Sequence, residues 1–201
     1  MEATRERLLE AANRLFLEAG SRGATTRRIA REAGVNEVTL FRHFAGKEEL
    51  LSAAVEHGAE QGIRRLAAGT LPAEPGDVRG ELRTFLLATL QGFTEGRRAI
   101  RVSMAEWERH PSLQEPLLRT ANYVYRQLRA YVKKAQVCGL IRADLGVTVM
   151  TEAIIATIIA DGLLRDLMPE RFPLRPAASI DAYLDILLQG LLPEDKKGVA
   201  E

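Results

Sequence analysis

Cysteine, histidine and tryptophan are scarce in this 201-residue sequence, and their scarcity excludes several classes of protein. The one cysteine, Cys138, rules out an internal disulfide framework and agrees with the reducing cytoplasm. Because free cysteines are usually buried, we expect Cys138 to be packed inside the protein. The three histidines, His43, His57 and His110, form no cluster with ligand-like spacing. No metal, cofactor or catalytic residue is therefore predicted, and an enzyme is the weakest of the functional alternatives.

The sequence also lacks a hydrophobic run long enough to cross a membrane. The first residues, MEATRERLLEAANRLF, place charges between the apolar positions, which is not the pattern of a secretory signal peptide. The longest candidate stretch, AIIATIIA at residues 153–160, lies between Glu152 and Asp161. A spanning helix needs about 20 predominantly apolar residues, so this stretch is too short. We expect a cytoplasmic protein without a membrane partner.

An excess of charge of one sign is absent from the chain as a whole, whose formal net charge is +1. A function in binding nucleic acid therefore requires a local concentration of positive charge. Residues 21–47 have one, with six basic side chains and only two acidic ones. The basic side chains are Arg22, Arg27, Arg28, Arg31, Arg42 and Lys47. This local density is what a surface that faces DNA phosphates requires.

What the sequence does contain is helical periodicity in almost every long segment, without an alternating strand pattern or an internal repeat. The pattern predicts an all-α fold of about nine helices. Their approximate ranges are 4–19, 26–34, 36–43, 47–69, 78–93, 100–107, 117–135, 147–164 and 179–192. We expect Gly20 to end the first helix, Thr25 or Thr26 to cap the second, and Asn36 to cap the third.

Residues 25–44 combine the features that two short helices need when they meet at a steep angle. Ala30 is a small residue where the backbones approach, and Gly34 can adopt left-handed geometry in the turn. The expected inner apolar contacts are Ile29, Val35, Leu40 and Phe44. The short or polar side chains expected to face outward are Glu37, Val38, Thr39 and Arg42. These lie near the N-terminal end of their helix, where a recognition helix meets base edges in the major groove.

This stretch resembles the DNA-binding motif of TetR-family transcriptional regulators. The family pattern has a helix led by threonine, then Ile-Ala, Ala-Gly-Val, a Thr-Leu-Tyr-like run, His-Phe and a lysine before the next helix. The matching residues here are Thr26, Ile29-Ala30, Ala33-Gly34-Val35, Thr39-Leu40-Phe41, His43-Phe44 and Lys47. The resemblance covers roughly residues 4–57 and implies an all-helical homodimer on a palindromic operator, usually a repressor released by a small molecule.

The resemblance also implies a division of the chain and a set of DNA contacts. The DNA-binding domain would occupy residues 1–61, an effector-binding and dimerisation domain residues 62–192, and a flexible tail residues 193–201. The implied phosphate contacts are Thr26, Arg27, His43 and Lys47. The implied base contacts are Glu37, Val38, Thr39 and Arg42. Arg28, Asn36 and Phe41 complete the DNA-binding set.

Four of these positions differ from the family pattern or have a second interpretation. Phe41 stands where the family commonly has tyrosine, so a hydroxyl contact to phosphate is lost, while stacking on the sugar-phosphate backbone stays possible. Val38 replaces a commonly small residue and is able to meet a thymine methyl group. Glu37 is tolerable beside DNA if it accepts from a cytosine amino group or pairs with Arg42. His43, without the motif, would be read as packing the turn.

The larger domain is expected to hold an effector of unknown class in an apolar pocket with a few polar groups. The candidates are Phe85, Thr89, Phe93, Met104, Trp107, Tyr123, Tyr125, Met150, Ile154 and Thr157. Core packing explains the same spacing and is the alternative for each of them. Trp107 lies between Glu106 and Glu108, and an apolar ring beside carboxylates can bind a cation.

The last two predicted helices carry apolar residues on more than one face, which requires burial on more than one side. A monomer would expose this surface, so the pair indicates a homodimer interface. The candidate interface residues are Ile155, Ile159, Gly162, Tyr183, Leu187 and Leu191.

A dimer of this kind presents two recognition helices about 34 to 36 Å apart, one turn of DNA. An effector that prefers a state with another spacing lowers DNA affinity through its differential binding. The fourth helix is the natural lever, and its Gly58 and Gly62 indicate either close packing or a flexible joint. Two alternatives stay open: an activator with the same groove contacts, and a ligand-independent DNA-binding or architectural protein whose second domain only dimerises.

Overall fold

The computed structural model describes residues 2–66, 69–106, 108, 110–111 and 114–191, apart from the side chains of residues 65, 66, 116, 117 and 191. These residues form eight α-helices and no strand, which confirms the all-α expectation. The α-helices are α1 (Glu2–Gly23), α2 (Thr26–Glu32), α3 (Glu37–His43), α4 (Lys47–Leu66), α5 (Val78–Glu106), α6 (Gln114–Val137), α7 (Val147–Leu164) and α8 (Pro176–Leu191). A short 3-10 helix, Pro169–Arg171, precedes α8.

Helix α5 is longer than its sequence pattern predicts. The helices expected at residues 78–93 and 100–107 are one continuous helix of 29 residues. The glycines of its middle section, Gly92 and Gly96, each cost about 1 kcal/mol against alanine, but neither removes a hydrogen-bond donor as proline would. Since the helix contains no proline, it continues through both positions.

The described residues divide into two compact units, each with its own core. Unit 1 comprises residues 1–64 and 96–121, and unit 2 comprises residues 65–95 and 122–201. The unit 1 core is built from apolar faces of the first four helices, with Leu8, Phe16, Ile29, Leu40 and Leu50 fully buried. These side chains recur at helical spacing along α1 to α4, so each short helix contributes one face to the same core.

Two glycines of α4 allow close packing within unit 1. A Cβ atom at Gly58 would lie 2.8 Å from the side-chain nitrogen of Asn13, and one at Gly62 would lie 3.6 Å from the hydroxyl of Thr120. Thr120 also donates a hydrogen bond of 3.3 Å to the carbonyl of Ala59. The contact at Gly58 favours packing, rather than a flexible joint, as the reason for a small residue there, whereas a Cβ at Gly62 would stand at an ordinary contact distance.

Unit 1 also contains a buried polar cluster at Gly20, where the backbone of α1 leaves helical geometry as expected (φ 65°, ψ −174°). The hydroxyl of Ser21 donates to Glu106 Oε2 over 2.7 Å. His110 Nε2 lies 2.8 Å from Ser21 Oγ and 3.3 Å from Glu106 Oε2. Ser21 is 3% exposed and Glu106 8% exposed, so both need the partners that they have.

Unit 2 is organised around α7. By length and composition α7 is the one helix of the described part that could cross a membrane. It carries Asp161, which is fully buried and accepts two hydrogen bonds of 2.6 and 2.7 Å from Arg165. Its apolar side chains Ile154 and Ile158 belong to the core of unit 2. A buried ion pair and a shared core are properties of a core helix.

Cys138 corrects one expectation, because it is exposed. The buried stripe of α6 runs through Val124, Leu128 and Ala135, and continuing it would place residue 138 inside. The helix ends at Val137, which is itself 76% exposed, and Cys138 lies in the turn that follows. A stripe extrapolated past the end of its helix no longer predicts burial.

Candidate nucleic-acid interface

Helices α2 and α3, with the turn between them, have the predicted two-helix geometry. Thr25 caps α2, its hydroxyl accepting from the N–H of Arg28 over 3.3 Å. Gly34 is the turn residue, with φ of +67°, and the N–H of Val35 returns to the carbonyl of Ala30 over 2.9 Å. A left-handed conformation is one that glycine adopts without steric cost, so this confirms the expectation for position 34.

Helix α3 has one face in the core and one in solvent. Leu40 is fully buried, and Phe44, the residue that caps its C-terminal end, is 2% exposed. On the other side Val38 is 64% exposed and Phe41 is 51% exposed, with Arg42 also exposed. The division is therefore the predicted one for Leu40, Phe44, Val38 and Arg42, whereas Val35, Glu37 and Thr39 are half-buried. The outer face includes two large apolar side chains.

Asn36 is the N-cap of α3, as expected. Its Oδ1 accepts from the N–H of Thr39 over 2.7 Å and from the hydroxyl of Thr39 over 2.8 Å. One side-chain oxygen thus receives both donors of Thr39. To donate to a base, the hydroxyl group of Thr39 would first have to give up its hydrogen bond to Asn36.

A second internal hydrogen bond joins the first residues of α2 and α3. The hydroxyl of Thr26 donates to Glu37 Oε1 over 2.8 Å. Thr26 was expected to bind phosphate, and Glu37 was expected to accept from cytosine or to pair with Arg42. In this structure the two residues bind each other. The bond fixes one carboxylate oxygen of Glu37 beside α2 and leaves the other for a further donor.

The basic side chains of the motif differ in their exposure and in their contacts within the protein. Arg27 and Arg42 are exposed, and Lys47 is half-buried at the start of α4. Arg28 donates from Nη1 to the carbonyl of Gly23 over 2.8 Å, which gives its guanidinium a role in holding the end of α1. His43 is half-buried, with its ring centroid 6.4 Å from that of Phe44.

The structure adds a cation that the sequence did not single out. The guanidinium carbon of Arg5, in the first turns of α1, lies 5.3 Å from the ring centroid of Phe44. This distance is within the range of a cation–π contact. It brings a positive charge to the C-terminal end of α3 from a residue about forty positions away. No local pattern predicts such a contact, because it depends on how α1 folds back on α3.

Two family models match this chain. The one described as "Bacterial regulatory proteins, tetR family" matches residues 8–54, which include α2 and α3. The one described as "Tetracyclin repressor-like, C-terminal domain" matches residues 72–188, more than half of the chain. The chain belongs to the TetR family. The predicted resemblance is thereby confirmed, and the chain is a TetR-family transcriptional regulator.

One similar regulator matches nearly the whole length of this chain, and another matches about half of it. The HTH-type transcriptional regulator UidR of Escherichia coli K12 is 28% identical over 196 residues, covering 95% of this chain and 94% of that protein. The uncharacterized HTH-type regulator YvkB of Bacillus subtilis is 31% identical over 107 residues, 53% of each chain. TetR-family regulators bind operator DNA and typically act as dimers.

Solved structures share the fold. The flavonoid-responsive regulator FrrA has a TM-score of 0.75 at 20% identity, covering 96% of this chain and all of that one. The regulator FadR of Bacillus subtilis, in complex with stearoyl-CoA, has a TM-score of 0.68 at 19% identity, covering 92% and 98%. At these identities the likeness shows the TetR fold alone.

The effector candidates fall in different environments. Within unit 2, Phe85, Thr89, Met150 and Ile154 are buried in the core. The half-buried candidates of unit 2 are Phe93, Tyr123, Tyr125 and Thr157. Met104 belongs to the segment of unit 1 and is 62% exposed, because it lies on the solvent side of the longer α5. Trp107 lies outside the described residues.

The interface candidates on α7 and α8 also separate. Ile155 is 5% exposed, and Gly162 packs against Phe93, so both are already buried by their own chain. The half-buried candidates are Ile159, Tyr183 and Leu187, while the side chain of Leu191 is not described. The apolar side chains left in solvent are instead Val149, 64% exposed, and Ile186, 71% exposed. Periodicity identified two-faced helices, and of the assigned residues Ile155 and Gly162 lie on the side that the chain itself covers.

Proposed function

We propose that this chain is a repressor that binds a palindromic operator in double-stranded DNA as a homodimer and is released by a small-molecule effector. Residues 1–61 would bind DNA, residues 62–192 would bind the effector and dimerise, and residues 193–201 would be a flexible tail. The protein would act in the cytoplasm, without a cofactor, a catalytic activity or a membrane partner.

The outer face of α3 carries the DNA-binding part of this proposal. Val38 and Phe41 are more than half exposed on a helix whose opposite side is fully buried, and Arg42 stands beside them. Two large apolar side chains in solvent do not contribute to the stability of the folded state. In a major groove, the same side chains meet base edges while Arg27 and Lys47 supply charge for phosphates.

The sharpest test is selection of bound sequences from a random duplex library at two salt concentrations. We expect a palindromic site with half-sites about one helical turn apart, whose recovery survives the higher salt. Recovery of no preferred sequence, with binding that disappears as salt rises, would mean electrostatic attachment only and would overturn the proposal.

Two substitutions then test the contact assignment on the selected site. Arg42→Ala should weaken specific binding about ten-fold or more, since a good base contact is worth about 1 to 3 kcal/mol. Thr39→Ala should weaken it as well, through loss of its groove contact. Arg126→Ala, which removes an exposed arginine from α6, is the matched control for charge. Unchanged operator affinity in both test variants would sink the assignment.

The dimer part of the proposal is supported by the exposed apolar side chains Val149 on α7 and Ile186 on α8. Ile186→Glu should convert the dimer to a monomer, as measured by light scattering. It should also lower operator affinity, because a monomer contacts only one half-site. Val137→Glu places the same charge at an exposed position at the end of α6 and should leave the mass unchanged. A dimer that survives Ile186→Glu would contradict this choice of interface.

The effector part of the proposal is supported by the descriptions of two similar proteins, one flavonoid-responsive and one in complex with stearoyl-CoA. The half-buried aromatic side chains Phe93, Tyr123 and Tyr125 pack against the unit 2 core and are candidates to line a pocket. A panel of flavonoids and acyl-CoA thioesters would be screened for a rise in melting temperature, then for release of the operator. If no compound class does either, the ligand-independent regulator is favoured.

A further inference from the structure

The polar side chains at the start of α3 are engaged within the protein. The hydroxyl of Thr39 donates a hydrogen bond to Asn36, and the hydroxyl of Thr26 donates one to Glu37. Before either hydroxyl can donate to a base edge, its internal hydrogen bond of 2.8 Å must break. Each broken bond subtracts from the affinity gained on binding. Thr26 and Thr39 are therefore poor candidates to supply most of the sequence discrimination, which leaves Arg42 and the apolar side chains of the outer face.

Among the side chains that need no such exchange, two are apolar. Val38 and Phe41 are 64% and 51% exposed and lie three residues apart, so they occupy adjacent turns of the same face of α3. The rise of 1.5 Å per residue places them about 4.5 Å apart along the helix axis. That spacing is close to the ~3.4 Å rise between successive base pairs. Two side chains this close together are able to reach two neighbouring base pairs of a duplex.

The apolar character of Val38 and Phe41 determines which group of the DNA they can contact. Phosphates offer charge and hydrogen bonds, which valine and phenylalanine cannot use, and stacking on a sugar is open to the ring of Phe41 but not to Val38. In the major groove the apolar group is the 5-methyl of thymine. The cations at hand, Arg27 and Arg42, are exposed in the same motif, which complements the negative charge around the groove.

We propose that Val38 and Phe41 form an apolar pair that reads the 5-methyl groups of thymines at two neighbouring base pairs in each half-site. This inference rests on the proposed operator binding and adds the bases that the operator contains. Its energy comes from removing methyl groups and apolar side chains from water, which does not require charge.

The test replaces thymine by deoxyuridine in the selected operator, one position at a time. This change keeps the base pairing and the charge and removes only the methyl group. At the two positions read by the pair we expect affinity to fall about four-fold per methyl, the equivalent of about 0.8 kcal/mol for one buried carbon. Deoxyuridine outside these positions should leave affinity unchanged.

Substitutions identify which side chain reads which methyl. Val38→Ala should weaken binding to the thymine operator, while deoxyuridine at its position should then cost little more. Phe41→Ala should behave in the same way at the neighbouring position. Val137→Ala makes the first change at an exposed position of α6 and is the control. Melting curves would show that the exposed substitutions leave folding intact.

The outcomes separate this inference from the proposed function. If selection recovers no preferred site, the operator proposal itself has failed. If it recovers a palindrome, two results overturn the methyl-reading pair alone: half-sites without neighbouring thymines, or deoxyuridine operators that bind as tightly as thymine operators. A loss on deoxyuridine that persists unchanged in Val38→Ala and Phe41→Ala would also overturn it, because other residues would then read the methyls.

Discussion

Replacing Gly20 with alanine adds one methyl group where the backbone of α1 turns. The residue has φ of 65° and ψ of −174°, a region that glycine occupies almost alone. The new Cβ would lie 2.8 Å from Glu106 Oε1, closer than carbon and oxygen approach without a shift. Glu106 cannot move freely, because its other oxygen accepts from Ser21 over 2.7 Å and lies 3.3 Å from His110.

The loss of unfolding free energy in Gly20→Ala has two contributions, the backbone conformation and the contact with Glu106. A side chain in this region of backbone conformation costs about 2 kcal/mol, and forcing an extra carbon against a held group costs about 1 kcal/mol or more. We therefore expect Gly20→Ala to lower the free energy of unfolding by about 3 kcal/mol. Gly34→Ala is the matched control, with φ of +67° but no atom nearer than 3.6 Å to the added carbon. It should cost about 1 kcal/mol.

The assay is urea unfolding followed by circular dichroism at one protein concentration, because an associating protein has a concentration-dependent stability. The change in the unfolded chain is the same for both substitutions, so the difference reports the folded state. In a Glu106→Ala background the cost of Gly20→Ala should fall toward the backbone contribution alone. Equal losses at Gly20 and Gly34 would refute the reasoning.

Three further predictions concern single side chains. Asn36→Ala removes the cap of α3 and should cost about 1 kcal/mol in urea unfolding, whereas Asn122→Ala, at an exposed position of α6, should cost almost nothing. Asp161→Asn leaves Arg165 without its buried counter-charge and should lower stability by about 3 kcal/mol, and a smaller loss than Asn36→Ala would contradict this estimate. Burial and a carboxylate hydrogen bond raise the pKa of Tyr131 above 10.0, so the folded state keeps that proton and stability should fall as pH rises past 10. Melting curves between pH 8 and 11 should show this loss in the wild type and less of it in Tyr131→Phe, and equal pH dependence in both would count against it.

The two-helix motif was predictable because its signals are local. Thr25 and Asn36 bind backbone N–H groups three residues ahead, and Gly34 adopts the conformation that its turn requires. Leu40 and Phe44 are four residues apart and both are buried. Each of these relations spans one turn of chain, so a pattern of residue types contains the information needed to predict it.

The errors arose where local patterns were extended beyond their range. The apolar pattern predicted separate helices at residues 78–93 and 100–107, but helix α5 passes through the gap because nothing there removes a backbone donor. The general tendency of free cysteines predicted a buried Cys138, but the helix stops one residue earlier and leaves Cys138 exposed in the turn. On α7, periodicity showed two apolar faces without telling which face the chain itself covers, and Ile155 is on the covered one.

The sequence by itself determined the all-α class, the caps and turn of the helix-turn-helix and the resemblance to the TetR family, since these depend on residues within a few positions of each other. Only the tertiary structure decided which polar groups are already engaged. Thr26 meets Glu37 across 11 positions, and Ser21 meets Glu106 across 85. Such pairs form because packed helices bring distant positions together, and residue spacing along the chain carries no information about them.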